Sequence, residues 1–339
     1  MEKLRDHQLS GDNTFGIPAR CDLFCRIDSS AEAEGFFGSG EAVGPLLIIG
    51  GGSNILFAGD FHGTVVRSAI KGFEIRPGAG GEHALVRCGS GEEWDSVVER
   101  ALDAGLYGAE NLSLIPGDVG ASAVQNIGAY GAEASQIVHS VEAVDTATGL
   151  SVEIPARECS YSYRHSRFKD DWRGRYFITH VTYRLSRTFS PRTEYGNIRA
   201  RLAGMGVGNP TPVQLRSAII GIRREKLPDP AETGNAGSFF MNPVMTRGRY
   251  EALEAAHPGM PHYDMGGGMV KVPAGWLIEQ CGWKGRAMGR AGVYSKQALV
   301  LVNLGGATGA EVVALCRAVA RSVEEKFGIA IRPEVNIIG

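Results

Sequence analysis

Short apolar runs separated by turn residues dominate the early part of the chain. They include DLFCRI, PLLIIG, GTVVRS, KGFEIR and HALVRCGS, all between residues 22 and 90. Runs of this length that are rich in Val, Ile and Phe are typical of strands. A helix is predicted for 91–104, because its apolar residues recur every three or four positions and a glycine follows at 105. Strands with few helices are therefore expected in this region.

The pattern changes in the later part of the chain. Strands are expected near 140–144, 152–155 and 176–185, with a short helix from about Val119 before them. Helices are predicted at 211–227, 249–256, 274–281 and 308–328, the last with a Thr cap. A Gly- and Met-rich loop is expected before the helix at 274, and ALVLVNL and IRPEVNII are predicted as the last strands. This mixture indicates an α+β protein.

Composition and charge exclude several classes of protein. The 339 residues are 43% hydrophobic and 21% charged with a net charge of −2, which is typical of a globular protein and lacks the basic excess of nucleic-acid binders. No apolar stretch is long enough to span a bilayer, so no membrane association and a cytoplasmic location are expected. The six cysteines are scattered and the eight histidines form no ligand pair, so no disulfide and no metal site is expected.

Two glycine-rich segments could approach a ligand with their main chain. One is IIGGGSNIL after a buried strand, and the other is SLIPGDVGASAVQNIGAYG, with small residues at a predicted helix start. Free N–H groups in such loops favour the phosphates of a dinucleotide. A tight turn explains the three glycines at 50–52 equally well, and no G-x-G-x-x-G motif of the dinucleotide-binding fold is present.

The order of the motifs resembles that of one enzyme family. NTFGIPA, IIGGGSNIL, QNIGAYG, YRHSRFK, KLPDP, GNAGSFFMNP, AGWLIEQ and RPEV follow one another across nearly the whole chain. In this order they are similar to the UDP-N-acetylenolpyruvoylglucosamine reductases. The chain departs from the family at Ala123, where a proline is usual, and we expect a slightly less rigid loop there.

The resemblance implies a fold, a division into domains and a reaction. The fold class is an α+β FAD-binding domain of the p-cresol methylhydroxylase or vanillyl-alcohol oxidase type, made of two subdomains and followed by an α+β substrate-binding domain. The implied ranges are 1–75 and 76–210 for the FAD-binding subdomains and 211–329 for the substrate-binding domain, with 330–339 returning to the first. The implied cofactor is non-covalent FAD, and NADPH is the co-substrate that reduces it. The substrate is a UDP-sugar with an enolpyruvyl ether, and the protein is expected to be a monomer.

Three residues in family motifs are the implied catalytic groups. Arg164 in YRHSRFK would offer a planar guanidinium to the substrate carboxylate, although a surface ion pair is an alternative. Ser238 in GNAGSFF would donate the proton, with Lys226 nearby to make it more acidic, although a hydroxyl that caps the turn is the commoner case. Glu334 in RPEV would polarise the intermediate from the last strand, and pairing with Arg332 is its alternative.

The resemblance also implies the binding residues. Those for the substrate are Tyr195, Lys226, Asn242, Tyr263 and Gln297, of which Tyr263 lies in the loop that marks a longer subclass and closes over the UDP-sugar. Those for the cofactor are Gly50, Gly51, Gly52, Ser53, Asn54, Pro116, Gly117, Gly120, Ser122, Gln125, Asn126, Gly128, Ala129 and Tyr130.

Two other functions share parts of this sequence. A flavin oxidase that passes electrons to oxygen would have the glycine loops, but would need neither the GNAGSFF serine nor the arginine motif. A catalytically silent flavin or UDP-sugar binding module would not need Arg164, Ser238 and Glu334 together.

Overall fold

A computed structural model describes every residue from Met1 to Gly339. The helices are α1 (Ser30–Ser39), α2 (Trp94–Asp103), α3 (Val119–Gln125), α4 (Ile198–Gly204), α5 (Pro212–Lys226), α6 (Arg247–Ala256), α7 (Ala274–Gln280) and α8 (Gly309–Phe327). The strands are β1 (Glu2–Gln8), β2 (Arg20–Ile27), β3 (Leu46–Ile49), β4 (Ile55–Phe57), β5 (Phe61–Ser68), β6 (Phe73–Pro77), β7 (His83–Gly89), β8 (Gly128–Ala129), β9 (Ala132–Glu133), β10 (Val138–Asp145), β11 (Ser151–Pro155), β12 (Tyr176–Ser186), β13 (Asn235–Ser238), β14 (Val244–Thr246), β15 (Tyr263–Gly266), β16 (Met269–Lys271), β17 (Ala287–Met288), β18 (Ala291–Val293), β19 (Val300–Asn303) and β20 (Asn336–Ile338).

The chain forms two compact units, each assembled from separate segments. The first unit contains Met1–His7, Cys21–Gly51 and His62–Arg224, and the second contains Gln8–Arg20, Gly52–Phe61 and Glu225–Gly339. The division falls near the end of α5, and it also falls inside the glycine run, between Gly51 and Gly52.

The larger sheet of the first unit is antiparallel, with strand order β11-β10-β12-β7-β6. Its core includes Trp94, whose indole lies 5.4 Å from the ring of Tyr183 and donates to the carbonyl of Leu112. Trp94 begins α2, which also buries Val97 and Val98 against this core, so the helix predicted from apolar spacing is confirmed.

The second sheet of this unit has the order β1-β2-β5-β3, with β3 parallel to β5. Its core contains Phe36 and Phe37 of α1, and the ring of Phe37 lies 5.5 Å from that of Phe177. The expectation of few helices before residue 90 holds, but α1 itself was not predicted. The helical spacing of apolar residues is hard to recognise in α1, because its two buried phenylalanines are adjacent and glycines flank them. The start signal of the helix is Ser29, whose side chain accepts a hydrogen bond from the N–H of Glu32.

The second unit is built around a sheet of order β13-β19-β18-β17 and the long helix α8. Thr308 and Glu311 form a capping box at the start of α8, as the predicted Thr cap requires. The buried face of this helix contributes Val312, Leu315 and Val319 to a core shared with α7. The last strand, β20, pairs in parallel with β4, which joins the end of the chain to Ile55–Phe57.

The segment predicted as a Gly- and Met-rich loop contains a β-hairpin. Strands β15 and β16 pair with each other, and β16 also pairs with β14. The turn consists of Gly267 and Gly268, and both have positive φ, as does Gly266 at the end of β15, so the glycines that suggested a loop form the tip of the hairpin.

Candidate active site

The two glycine-rich segments lie against each other within the first unit. A Cβ atom placed on Gly51 would lie 3.6 Å from the Cα of Gly117 and 3.2 Å from the Oδ1 of Asp118, and one on Gly50 would lie 3.3 Å from the Cβ of Ala121. A larger residue at either glycine would push the segments apart. The sequence therefore uses glycine where two stretches of main chain have to meet.

The helix α3 does not present its first amides as predicted. The N–H of Val119 donates to the carbonyl of Glu92 and that of Gly120 to the carbonyl of Ser90, both at 2.9 Å. Since these groups are occupied and the helix has only 7 residues, the expectation of free N–H groups at its start is wrong for these two positions. The close approach of Gly50 and Gly51 remains as the feature suited to a diphosphate.

Two residues predicted to bind the cofactor are fully buried. The Asn126 side chain donates to the carbonyl of Ser162 at 2.8 Å and accepts from the N–H of Ser135. The hydroxyl of Ser122 lies 2.7 Å from that of Tyr183. We expect both side chains to hold the loop in shape, because their polar atoms are already satisfied inside the protein.

Asp118 is a partly buried acid between the glycine segments. Burial raises the pKa of its carboxyl to about 6, while the positive charges of Arg67 and Lys71 lower the pKa and Glu93 raises it. The side chain makes no capping hydrogen bond to α3. An aspartate that the sequence analysis did not single out thus stands beside Gly50 and Gly51.

Arg164 lies against the QNIGAYG loop of the first unit. Its φ is 55°, its Nη2 donates to the carbonyl of Gly128 at 2.7 Å, and a Cβ on Gly128 would lie 3.0 Å from its Nη1. Lys169 donates to the carbonyl of Arg164. Arg167 of the same segment forms an ion pair with Asp171.

The same loop carries a tyrosine and an arginine that the sequence analysis did not connect. Tyr130 has a φ of 49°, and burial raises the pKa of its hydroxyl while the nearby positive charge of Arg223 on α5 lowers it. The Nε of Arg223 donates to the carbonyl of Leu114 at 3.1 Å, and burial lowers the pKa of its guanidinium. Arg223 was missed because it stands among the basic residues that normally end a helix.

Tyr195 also belongs to this group of residues. A Cβ on Gly131 would lie 3.2 Å from the Cβ of Tyr195, so the tyrosine packs directly on the end of the QNIGAYG motif. The first unit thus brings together Arg164, Tyr195 and the loop of Tyr130, which lie far apart in the sequence.

The second unit brings Ser238 and Glu334 close together through the main chain. Ser238 ends β13 opposite Val300, and the next two residues, Phe239 and Phe240, are fully buried. The N–H of Glu334 donates to the carbonyl of Phe239 at 2.8 Å. The half-buried serine therefore lies at the end of a strand next to two buried aromatic side chains, and not on the turn that its sequence context suggested.

Glu334 was predicted to lie on the final strand, but it lies in a bend just before that strand. β20 begins at Asn336, whose N–H donates to the carbonyl of Asn54, while Asn54 donates to the carbonyl of Glu334 at 3.3 Å. Pro333 supplies no N–H for a longer strand. The bend ties the predicted catalytic carboxylate to the predicted FAD loop at Asn54.

The remaining predicted substrate residues are spread over the second unit. The Oδ1 of Asn242 accepts from the N–H of Ala274 at the start of α7. The Oε1 of Gln297 accepts from the N–H of Leu299. Lys226 is exposed at the end of α5, and no hydrogen bond joins it to Ser238.

Tyr263 lies on the hairpin and is 42% exposed. It stands opposite Lys271 in the β15–β16 register, and the ammonium of Lys271 lies 5.8 Å from its ring. Asp264 forms an ion pair with Arg247. The exposed ring of Tyr263 is therefore on an ordered hairpin.

Comparison with known proteins decides the family. Residues 229–338 match the family described as "UDP-N-acetylenolpyruvoylglucosamine reductase, C-terminal domain", and residues 40–154 match the "FAD binding domain" family. A reductase of that name from Bacteroides fragilis (strain YCH46) is 49% identical over 333 residues, which is 98% of this chain and 99% of the relative. The chain belongs to the UDP-N-acetylenolpyruvoylglucosamine reductase family.

Other members of the reductase family support the same assignment. The reductase of Burkholderia multivorans is 46% identical over 334 residues, covering 98% of this chain and 95% of the relative. The crystal structure of the reductase from Thermus caldophilus, 22% identical, aligns over 100% of this chain and 98% of that one with a TM-score of 0.68. The predicted fold class, an α+β FAD-binding domain followed by an α+β C-terminal domain, is confirmed.

The FAD-binding match coincides with the glycine segments. It covers Gly50, Gly51 and the loop from Pro116 to Tyr130. Gly50 and Gly51 have no side chains to shield their main-chain amides, which a diphosphate site needs, although Asp118 and Ala121 fill the space where their Cβ atoms would lie. No helix of the chain combines the length and the apolar character needed to cross a membrane.

Proposed function

We propose that this protein reduces the enolpyruvyl ether of UDP-N-acetyl-3-O-(1-carboxyvinyl)-glucosamine to UDP-N-acetylmuramate, a step of peptidoglycan synthesis, with FAD as cofactor and NADPH as reductant. The observation that carries the proposal is the match to reductases of this name over nearly the full length of both chains. Bound FAD supplies the hydride that reaches the terminal carbon of the enolpyruvyl group.

Arg164 is the proposed partner of the substrate carboxylate. Hydride addition at the terminal carbon pushes negative charge toward the carboxylate, and a fixed guanidinium can meet that charge as it develops. The hydrogen bond to the Gly128 carbonyl and the packing on Gly128 support this role, because they hold the side chain in one place. A preorganised cation costs no rearrangement during the reaction.

Ser238 is the proposed proton donor, and Glu334 is its proposed partner in handling the same proton. The half-buried position of Ser238 at the end of β13, next to two buried phenylalanines, supports a fixed hydroxyl position. The hydrogen bond from Glu334 to the carbonyl of Phe239 supports a common location for the two groups. When a serine donates its proton, the alkoxide that forms has to be stabilised. We propose that positively charged groups of the site stabilise it.

The substrate is proposed to be held by Tyr195, Lys226, Asn242, Tyr263 and Gln297. Their donor groups suit the diphosphate and the sugar hydroxyls. Tyr263 is proposed to close over the UDP-sugar, and its exposed ring on a hairpin that turns at Gly267 and Gly268 supports a closing role.

The domain division, the oligomeric state and the cellular location are part of the same proposal. The FAD-binding subdomains are proposed at 1–75 and 76–210, with the substrate-binding domain at 211–329. A cytoplasmic monomer that does not bind nucleic acid is proposed as the working form, consistent with a net charge of −2.

Two half-reactions observed separately test the proposal. The purified protein is expected to be yellow, to lose its flavin absorbance when NADPH is added without oxygen, and to regain it when the enolpyruvyl UDP-sugar follows. A flavin oxidase would not be reduced by NADPH, and a silent binding module would not be reoxidised by the UDP-sugar. A colourless protein without affinity for FAD would contradict the proposal altogether.

A further inference from the structure

The carboxyl group of Asp118 stands beside the first glycine segment and makes no capping hydrogen bond to α3. Aspartate before a helix normally accepts a hydrogen bond from the second or third amide of the helix. Here the amide of Gly120 donates to the carbonyl of Ser90 instead, and Asp118 makes no capping bond. Its side chain turns toward the first glycine segment, with Oδ1 3.2 Å from a Cβ on Gly51 and Oδ2 3.5 Å from one on Gly50.

The charges around Asp118 come from three neighbouring segments. Arg67 near the end of β5 and Lys71 beyond it are positive, and Glu93 before α2 is negative and pairs with Asp118 through the main chain. Burial is the largest influence and raises the pKa of the carboxyl to about 6. A further negative charge beside this carboxyl would raise its pKa again, so that the carboxyl could be protonated at neutral pH.

We infer that Asp118 is an FAD-binding residue that acts as a neutral acid, donating a hydrogen bond from its protonated carboxyl to a diphosphate oxygen of FAD. The inference rests on the proposed FAD site at Gly50 and Gly51. An ionised carboxylate beside a diphosphate would be repelled, whereas a carboxylic acid is a strong donor to an anionic oxygen. At a pH above the pKa of Asp118 in the free protein, binding of FAD thus takes up one proton from solvent onto Asp118.

The sign of the pH dependence follows from this proton uptake. Below the pKa that Asp118 has in the protein without FAD, its carboxyl is protonated both with and without FAD, so the affinity for FAD does not change with pH. Above it, binding has to protonate the group, and the Kd for FAD rises by up to about tenfold per pH unit until the pKa of the complex is reached. FAD should therefore be retained better in mild acid than in mild base.

The test is the release of FAD from the holoenzyme as a function of pH. Flavin fluorescence after dilution gives the Kd between about pH 5.5 and 8.5, in the range where the linkage acts. The wild type should show the rising Kd, and calorimetry in buffers of different ionisation enthalpy should show proton uptake on rebinding. Asp118→Asn, which keeps a donor and cannot ionise, should bind FAD at least about tenfold more tightly than the wild type at pH 8 with a flat profile.

Two more variants separate the carboxylic acid from a general effect of charge. Glu93→Gln removes the neighbouring negative charge and should keep the rising profile. Asp118→Ala should give a flat profile with weaker binding than Asp118→Asn at every pH, because the donor is gone.

Two results would overturn the inference. One is a wild-type Kd that does not change with pH. The other is an Asp118→Asn variant that binds FAD more weakly than the wild type at pH 8, which would make the ionised Asp118 an acceptor for a hydroxyl of FAD. Both leave the proposed function intact, whereas a protein without FAD affinity at any pH would overturn the inference and the proposed function together.

Discussion

The main-chain N–H of Glu334 donates a 2.8 Å hydrogen bond to the carbonyl oxygen of Phe239. Phe239 directly follows Ser238, so this bond joins the bend before the last strand to the end of β13, which carries the proposed proton donor. Two of the predicted catalytic residues come from distant parts of the sequence, and the main chain holds them as neighbours. Side-chain substitutions at Ser238 or Glu334 leave this bond in place, which makes them clean tests of chemistry.

Replacing Ser238 with alanine should block the second half-reaction only. NADPH should still reduce the flavin at the wild-type rate, while reoxidation by the UDP-sugar should slow by about 10²-fold to 10⁴-fold, the usual contribution of a positioned acid. Stopped-flow absorbance measures the two steps separately. Ser322→Ala is the matched control, because its hydroxyl bonds only to the Ala318 carbonyl on α8, and normal reoxidation in Ser238→Ala would remove the serine from the mechanism.

Replacing Arg164 should slow the same half-reaction through loss of charge stabilisation. Arg164→Ala should reduce the reoxidation rate by about 10²-fold to 10³-fold, and Arg164→Lys should recover part of it, because lysine keeps the charge without the planar fork. Arg167→Ala is the control, since Arg167 is paired with Asp171. If Arg164→Ala changes only the affinity for FAD, Arg164 has a structural role instead.

The sequence predicts most of the regular elements because their apolar spacing is clear. α2, α5 and α8 begin and end close to the predicted residues, with Pro212 and Thr308 at the expected start signals. The sequence does not reveal α1, whose two buried phenylalanines are adjacent, or the hairpin at Tyr263, whose glycines suggest a loop. Tertiary packing and turn conformation decide those segments.

The sequence predicts a residue of the site only where that residue belongs to a family motif. Arg164, Ser238 and Glu334 come from the resemblance to a family, and nothing in local periodicity distinguishes them. Asp118 and Arg223 were not singled out, because an aspartate before a helix and an arginine at a helix end are ordinary features. Asp118 and Arg223 are distinguished by their burial and by neighbours that are distant in the sequence, and only the three-dimensional structure shows these features.

Gly52 is expected to be essential for stability. Its φ is 66°, and a Cβ would overlap the carbonyl oxygen of Asp12 and lie 2.7 Å from the Cα of Asn13. Gly52→Ala should therefore lower the free energy of unfolding by roughly 2 kcal/mol or more, through backbone strain and overpacking. Gly59→Ala is the matched control, because nothing lies within 4 Å of its Cβ and its φ is not positive; equal urea midpoints for the two variants would contradict this account.

The bidentate pair of Arg87 and Glu142 should make stability depend on pH. The guanidinium donates to both carboxylate oxygens at 2.6 Å, and this bond lowers the pKa of Glu142 although burial raises it in part. A lowered pKa means that the stabilisation is present above the pKa of the unfolded chain, about 4.3, and is lost as the pH falls through the folded value.

Glu142→Gln tests this pH dependence. It should lower the free energy of unfolding by about 1 kcal/mol at pH 7, a small value because both side chains are partly exposed, and by much less near pH 3. Glu153→Gln, on the exposed position opposite Glu142 in β11, should cost little at either pH. A difference between wild type and Glu142→Gln that stays constant from pH 7 to pH 3 would rule out the linkage. Urea unfolding at the two pH values measures it.

The most direct test of the central claim is the mass of the product formed by the wild-type protein. With FAD bound, NADPH in excess and the enolpyruvyl UDP-sugar as substrate, we predict a product that is heavier by one hydride and one proton and co-elutes with UDP-N-acetylmuramate, with one NADPH consumed per product. Recovery of unchanged UDP-sugar while NADPH is oxidised and oxygen is consumed would contradict the account, because the electrons of NADPH would then reach oxygen and not the enolpyruvyl group.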